Sequence, residues 1–222
     1  MSHGSGSSPL LFRRLAVELV AAGYVVALVE HPGNHRNDDA LADTDENLVR
    51  RPRHLRMAID AVVADAALGR HVLAERVAAV GQSAGAYTAL AAAGGAPWSR
   101  TGQRLAVERD PRIAALVLLT PAVFWYVPEG SLRSVTAPVL VFCAEEDALT
   151  PPWHGELVRW SVADRSRVAV QIVERAGHLS LLSELPAAAP WRDPPGFDRE
   201  GVHRRMAAAV IEFLGRTLAP GG

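Results

Sequence analysis

Three residues that could together activate a hydroxyl group follow one another along this chain. Ser83 lies within a Gly-x-Ser-x-Gly run at 81–85, Asp147 follows a later apolar run, and His178 follows the last one. A serine becomes a nucleophile when a histidine takes its proton, and a carboxylate orients that histidine and stabilises its charged form. The chain order of nucleophile, acid and histidine therefore predicts a site for acyl transfer.

The acid has three candidates within one loop. Glu145, Glu146 and Asp147 all follow the apolar run that ends at Cys143. Asp147 lies furthest into this loop, just before two prolines, and so has the longest reach towards the neighbouring loop. We therefore assign the acid to Asp147 and keep the two glutamates as alternatives.

The residues around Ser83 predict a strand, a sharp turn and a helix. An apolar, β-branched run leads into Gly81, and an alanine-rich run follows Gly85. Glycines on both sides let the strand and the helix approach closely, so the serine hydroxyl is held at an open apex. The N–H of Ala84 is then a predicted oxyanion donor. A chance pentapeptide is the alternative, and the flanking elements argue against it.

Strands and helices alternate along the rest of the chain. Apolar runs predict further strands at 24–29, 113–120, 138–143 and 168–173, and helical spacing predicts helices at 10–22, 53–68 and 202–218. Ser83, Asp147 and His178 each follow a strand end, where open parallel sheets place their sites. The pattern predicts an α/β fold with a mostly parallel sheet, helices on both faces and a single domain over residues 1–222.

Composition restricts the classes of partner. The 222 residues are 49% hydrophobic and 21% charged, with a formal net charge of -1 and one cysteine. We expect a cytoplasmic protein without a disulfide, a membrane span or an affinity for nucleic acid. The arginines at 50, 51, 53 and 56 are interpreted as a solvated helix start. A nucleic-acid patch is the alternative, but no aromatic residues interleave with them.

Histidines and aromatic residues raise two further alternatives. His31 and His35 lie near two aspartates, but the intervening Pro-Gly pair prevents a helix that would place both rings on one face. We therefore predict a loop without a metal ion. Trp125 and Tyr126 either pack under their loop or line an apolar pocket beside the serine, and Trp153 is a third pocket candidate.

The chain resembles the α/β-hydrolase superfamily, and within it the branch that is similar to dienelactone hydrolase and platelet-activating-factor acetylhydrolase. The segments that carry this resemblance are 2–4, Glu-His-Pro-Gly-Asn at 30–34, the serine pentapeptide, 146–147 and Gly-His at 177–178. The resemblance implies hydrolysis of an ester with Ser83 as nucleophile, His178 as base and Asp147 as the partner of the base.

The same resemblance gives a role to the start of the sequence. It implies that the loop around His3 and Gly4 supplies the second oxyanion donor, which we assign to the Ser5 N–H. A flexible leader is the alternative for this Gly/Ser-rich segment. The resemblance also implies strands before His3 that this sequence lacks, so we expect an N-terminally shortened fold. Either the protein is a short form or its start lies further upstream.

The expected function is therefore a serine hydrolase without a cofactor. Its expected substrate is a small or medium-sized carboxylic ester, including a lactone or a thioester. An acyltransferase or a cyclising thioesterase with the same triad is one alternative. A catalytically idle binding protein of the same fold is another, and a homodimer that completes the sheet would favour it.

Overall fold

A four-stranded parallel sheet forms the centre of the computed structural model, which describes residues 1–184 and 191–219. Its strands are β1 (Val77–Ser83), β2 (Ile113–Pro121), β3 (Val139–Ala144) and β4 (Val168–Val173). Their spatial order is β1-β2-β3-β4, and every neighbouring pair is parallel. The α/β class and a parallel sheet are therefore confirmed, and these strands match the apolar runs predicted for them.

The two central strands are almost completely buried because helices cover both faces of the sheet. Buried side chains on β2 alternate between two apolar clusters, with Leu116 and Leu118 on one face and Val117 and Leu119 on the other. Such near-continuous apolar strands are typical of parallel sheets with two covered faces.

Five α-helices supply the outer layers. They are α1 (Arg13–Ala21), α2 (Asp45–Ala64), α3 (Ala84–Ala92), α4 (Trp153–Ser161) and α5 (Arg199–Leu218). Helices α2, α3 and α4 pack on one face of the sheet, and α1 and α5 pack on the other. The carboxyl ends of the parallel strands lie between these layers, at the edge of the sheet where such folds place their sites.

Helix α2 starts at Asp45, well before the predicted start at Arg53. The Thr44 hydroxyl accepts a hydrogen bond from the Asn47 N–H at 3.1 Å, which caps the helix. Pro52 lies inside α2 and cannot donate to the Leu48 carbonyl. The Tyr87 hydroxyl donates to that carbonyl instead, at 3.0 Å. This contact from α3 explains why a proline is tolerated within the helix.

The predicted strand at 24–29 is wrong. Residues 24–28 belong to no strand, and Val29 forms only an isolated parallel bridge, with Ser2. Ser2 forms a second parallel bridge, with Gly81 of β1. A strand needs a neighbour along its length, and among the described residues only the short Met1–Ser2 segment pairs with residues 24–29.

The single cysteine lies under a closely packed helix. Cys143, near the end of β3, has no exposed surface, and burial raises the pKa of its thiol to about 11. A Cβ atom added at Gly155 of α4 would collide with the Cys143 sulfur. The glycine therefore allows α4 to press directly against the sheet.

Candidate active site

Ser83 is the last residue of β1 and directly precedes Ala84, the first residue of α3, at a sharp turn. Its backbone has φ 53° and ψ -120°, a conformation that residues other than glycine rarely adopt. A Cβ atom on Gly81 would collide with the Gly85 carbonyl oxygen, and one on Gly85 would collide with the Ser2 carbonyl oxygen. The two glycines thus permit the close approach that the sequence predicted for this turn.

Asp147 and His178 form a buried hydrogen-bonded pair. Asp147 Oδ2 is 2.7 Å from His178 Nδ1, and the two side chains are 0% and 8% exposed. The other carboxylate oxygen, Oδ1, accepts from the backbone N–H groups of Leu149 and Thr150, each at 2.9 Å. Because an ionised carboxylate can only accept, the Nδ1 atom of His178 carries the proton.

Hydrogen bonds keep Asp147 ionised despite its burial. Burial by itself raises the pKa of this carboxyl, but the hydrogen bonds from His178 and Thr150 outweigh it, so the net pKa lies below its usual value. Asp147 therefore holds a negative charge against the imidazole ring near neutral pH.

The second ring nitrogen of His178 faces the residue before the serine. His178 Nε2 accepts from the side-chain amide nitrogen of Gln82 at 3.2 Å. The same amide nitrogen donates to the Thr120 hydroxyl at 3.0 Å. Among the hydrogen bonds of the described residues, none joins the Ser83 hydroxyl to His178. The imidazole is thus in the tautomer of a general base, with Gln82 at its basic atom.

Strand β2 contributes a residue with unusual backbone geometry beside the histidine. Thr120 has a φ of 39°, in the left-handed region that a β-branched residue rarely enters. Its hydroxyl donates to the His178 carbonyl oxygen at 3.1 Å, and its own carbonyl oxygen lies 3.0 Å from the Thr150 hydroxyl. Thr120 therefore ties the histidine loop and the acid loop to the end of β2.

The segment 3–5 lies directly beside the serine. A Cβ atom on Gly4 would be 3.3 Å from Ser83 Cβ, so this glycine lets the segment approach the nucleophile. Ser5 is exposed, and its hydroxyl accepts from the Asn34 amide at 2.8 Å. The structure thus places Ser5 and Ala84 on two backbone segments that meet at Ser83. Their oxyanion roles remain predictions.

Arg51 donates a hydrogen bond to the backbone of this segment. The expectation that Arg51 is solvated is wrong. Its side chain is only 1% exposed. The guanidinium donates to the His3 carbonyl oxygen, to Asn34 Oδ1 and, at 3.0 Å, to the Thr88 hydroxyl of α3. Burial lowers the pKa of Arg51 to about 9. One buried cation thus connects α2, α3 and the segment next to the serine.

The histidines near Arg51 are buried and uncharged. His31 Nε2 lies 2.8 Å from the Ser2 hydroxyl. Burial, together with the Arg51 charge, lowers the pKa values of His3 and His31, that of His3 to about 4. Within residues 1–184 and 191–219, no group of three or more His, Cys, Asp or Glu side chains is arranged to hold a metal ion.

The structure corrects one of the three predicted pocket residues. Tyr126 has no exposed surface, and its hydroxyl donates to the Tyr87 carbonyl oxygen at 2.9 Å, so it is a core residue. Trp125 is half-buried and packs edge-on against the Tyr87 ring at 4.8 Å, which favours the packing alternative. Trp153 is 47% exposed, and its role in substrate binding stays a prediction.

A cavity of about 240 Å³ adjoins the acid and histidine loops. Its wall includes Asp147, His178, Leu149 and Trp191, and none of the three predicted pocket aromatics. The aromatic residues chosen from the sequence therefore did not identify this cavity. A large aromatic ring next to a strand end can pack in the core as well as contact a ligand.

Comparisons of the chain with protein-family models and with curated proteins found no match. In the part of the chain that the structure describes, no helix is long and apolar enough to cross a membrane.

Sequence reasoning missed four residues of the site: Gln82, Thr120, Thr150 and Arg51. Gln82 adjoins the predicted nucleophile, and a polar side chain in an otherwise apolar strand could have drawn attention to it. Arg51 stands among three other arginines, and only the segments that surround it in the folded chain distinguish it from them. No local signal could have found that difference.

Proposed function

We propose that this chain is a serine hydrolase of the α/β-hydrolase type, which cleaves small or medium-sized carboxylic esters. The observation that carries the proposal is the 2.7 Å hydrogen bond between Asp147 and His178, whose second nitrogen points towards the serine turn. A buried carboxylate, an oriented imidazole and a serine in a strained turn are the three parts that nucleophilic acyl transfer needs.

In the proposed reaction, His178 Nε2 takes the proton of the Ser83 hydroxyl while the serine oxygen attacks the ester carbonyl. Asp147 stabilises the imidazolium that forms. The N–H groups of Ala84 and Ser5 donate to the carbonyl oxygen as it becomes an oxyanion. The imidazolium then protonates the leaving alkoxide. Water, deprotonated by the same histidine, releases the acid from Ser83 and regenerates the hydroxyl.

One observation favours the alternative of an inert binding protein. The Gln82 amide, rather than the Ser83 hydroxyl, makes the hydrogen bond to His178 Nε2. In this arrangement the base is blocked, and the serine becomes reactive only when the Gln82 side chain or the serine rotamer shifts. Such adjustments are common, because hydrogen bonds of catalytic groups often tighten only when substrate binds.

The test is labelling of the purified chain with a fluorophosphonate probe, followed by mass spectrometry of the modified peptide. We expect modification of Ser83 and a loss of labelling in Ser83→Ala. The matched control is Ser134→Ala, because Ser134 is exposed on a loop away from the sheet ends. Labelling at the wild-type rate in Ser83→Ala would assign the nucleophile to another residue, and no labelling of a folded wild-type sample would support the binding protein instead.

A further inference from the structure

Thr150 donates two of the hydrogen bonds that hold the Asp147 carboxylate. Its N–H group and that of Leu149 donate to Oδ1, each at 2.9 Å. Its hydroxyl and His178 Nδ1 donate to Oδ2, each at 2.7 Å. An ionised carboxylate has about four lone-pair sites, and all of those on Asp147 are therefore taken. The Thr150 hydroxyl thus shares one carboxylate oxygen with the imidazole.

The Thr150 hydroxyl also has a second acceptor within reach. Its oxygen lies 3.0 Å from the Thr120 carbonyl oxygen. A hydroxyl carries a single proton, and neither Asp147 Oδ2 nor this carbonyl oxygen has one to offer in return. Only one of the two hydrogen bonds can therefore be fully formed at a time. The bond to the carboxylate is shorter and is strengthened by the negative charge, so it is the favoured one while His178 is neutral.

Burial makes this choice of acceptor important for the charge on the ring. Thr120, Asp147 and Thr150 are 0%, 3% and 2% exposed. Because little water screens their dipoles and charges, electrostatic interactions among them are stronger than at the surface. A hydroxyl that donates to Oδ2 offsets part of the negative charge that faces His178 Nδ1. A hydroxyl that donates to Thr120 leaves that charge undiminished.

We propose that Thr150 is a positioning residue whose hydroxyl turns from Asp147 to the Thr120 carbonyl oxygen when His178 becomes charged. Beside the neutral ring, the hydroxyl weakens the attraction of the carboxylate for a further proton, so more of the base is unprotonated at a given pH. Beside the imidazolium, the hydroxyl donates to Thr120, and the carboxylate stabilises the charged ring with its full charge. The hydroxyl keeps its own proton throughout.

This arrangement serves the proposed reaction at two stages, and its catalytic role rests on that proposed function. Before the attack, His178 must be neutral to accept the Ser83 proton. During the attack, the imidazolium must be stabilised. A carboxylate with fixed donors favours the charged ring equally at both stages, whereas a hydroxyl with two acceptors lets Asp147 favour it mainly at the second. Oδ1 of Asp147 stays bound to two backbone N–H groups, so the carboxylate keeps its place when the hydroxyl turns.

Ionisable side chains of neighbouring elements also surround the Asp147–His178 pair and the loops that carry it. They are Cys143 of β3, Glu146 of the acid loop, His154 of α4, Arg192 and Asp193 of the segment before α5, and Arg199 and His203 of α5. Burial lowers the pKa values of His154, to about 4, and of His203, and it raises the pKa of Cys143 to about 11. Asp193 and Arg199 pair with each other at 2.6 Å. A test of the proposal must therefore follow the His178 ring itself rather than a property of the whole chain.

The first experiment titrates the imidazole of His178 by NMR in the full chain, with His178→Gln to identify its signals. In Thr150→Val the side chain keeps its branched shape but loses the hydroxyl, so the Asp147–His178 pair should bind its next proton more readily. We expect the titration midpoint to rise by about 0.4–1 pH unit, the equivalent of one hydrogen bond. Thr150→Ser keeps the hydroxyl and should keep the wild-type midpoint. A midpoint in Thr150→Val equal to or below the wild-type value would overturn the proposal.

Two further measurements separate the turn of the hydroxyl from a merely structural role. The carbonyl carbon signal of Thr120 should move further during the titration in the wild type and in Thr150→Ser than in Thr150→Val. No movement in the wild type, or equal movement in all three proteins, would contradict the turn. The pH midpoint of fluorophosphonate labelling should rise in Thr150→Val together with the NMR midpoint, whereas a structural role would lower the rate at every pH and leave this midpoint in place. If no variant is labelled but both NMR results are as expected, the hydrolase function fails and the hydroxyl turn stands.

Discussion

Strand β1 borders two regions that differ in polarity: its carboxyl end lies in a hydrogen-bond network, and its outer edge lies beside apolar side chains. At its carboxyl end, donors and acceptors of Gln82, Thr120 and His178 are paired with one another at 3.0–3.4 Å. Along its outer edge, β1 faces an apolar cavity of about 300 Å³ that also borders residues 23–27. One strand thus ends in a hydrogen-bond network, whereas its outer edge runs beside an apolar cavity.

The difference indicates where the fold is rigid. Acid–base chemistry needs groups held in one geometry before the substrate arrives, which the network around His178 provides. The outer edge of β1 lies beside a cavity lined by apolar side chains of α1, α2 and α5, so it lacks such a network. The segment 3–5 connects the two regions, because it follows Ser2, which pairs with β1, and lies beside Ser83.

The largest expected effect concerns the hydrogen-bond network around His178. In Asp147→Asn the side chain no longer requires a proton on His178 Nδ1, so the proton can move to Nε2, and the ring then cannot accept the serine proton. We expect the second-order rate of fluorophosphonate labelling to fall by about 10²- to 10⁴-fold. Glu146→Gln is the matched control, since Glu146 is exposed in the same loop. A comparable loss in the control would reassign the acid.

Arg51→Gln tests the connection between the two regions. The variant leaves the His3 carbonyl oxygen, Asn34 and Thr88 without their buried donor, so the free energy of unfolding should fall by about 2–4 kcal/mol. Urea unfolding measures this change. Arg53→Gln, on the exposed side of the same helix, should change it by less than about 0.5 kcal/mol. Equal effects would mean that the Arg51 contacts add nothing to stability.

The stability contributions of His3 and Asp147 are lost in different pH ranges as the solution is acidified. His3 has a pKa lowered to about 4, so its contribution to stability is complete above its unfolded pKa of about 6.5. That contribution is lost as pH falls from 6.5 to 4, at about 1.4 kcal/mol per pH unit. The Asp147 contribution is lost only below the usual carboxyl pKa of 3.8. Unfolding midpoints measured from pH 7.5 to 4.5 should therefore fall less steeply in His3→Gln than in the exposed control His71→Gln. Parallel curves would contradict this account.

The smallest expected effect concerns Gln82. Replacing it with Met keeps the side-chain length and removes the amide that bonds His178 Nε2. The base is then free to accept from Ser83, and one neutral hydrogen bond is worth about 0.5–1.5 kcal/mol. We expect labelling to become about 2- to 10-fold faster. If labelling instead slowed tenfold, Gln82 would be holding the ring in its reactive position rather than blocking it.

The sequence predicted features that depend on neighbours along the chain. The turn at Ser83 depends on Gly81 and Gly85, and the strand ends that carry Asp147 and His178 depend on apolar runs. Pairing of Asp147 with His178 followed from their positions at neighbouring strand ends. These predictions needed no knowledge of distant contacts.

Features that depend on distant contacts were not predictable in the same way. The strand predicted at 24–29 has the right composition, but a strand exists only with a partner along its length. Tyr126 packs in the core because Tyr87 supplies an acceptor 39 residues away along the chain. Arg51 is buried because three other segments surround it. In each case the folded neighbourhood, rather than the residue type, determined the outcome.

Because α4 packs directly on Cys143 at Gly155, the reactivity of this thiol reports whether α4 is in contact with the sheet. The sequence contains a single thiol, and α4 shields it from solvent. A thiol reagent can therefore reach the sulfur only when α4 separates from the sheet. The rate of modification of Cys143 would follow the opening of this layer without an introduced label. The same measurement in the presence of an ester would show whether this ligand holds the layer closed.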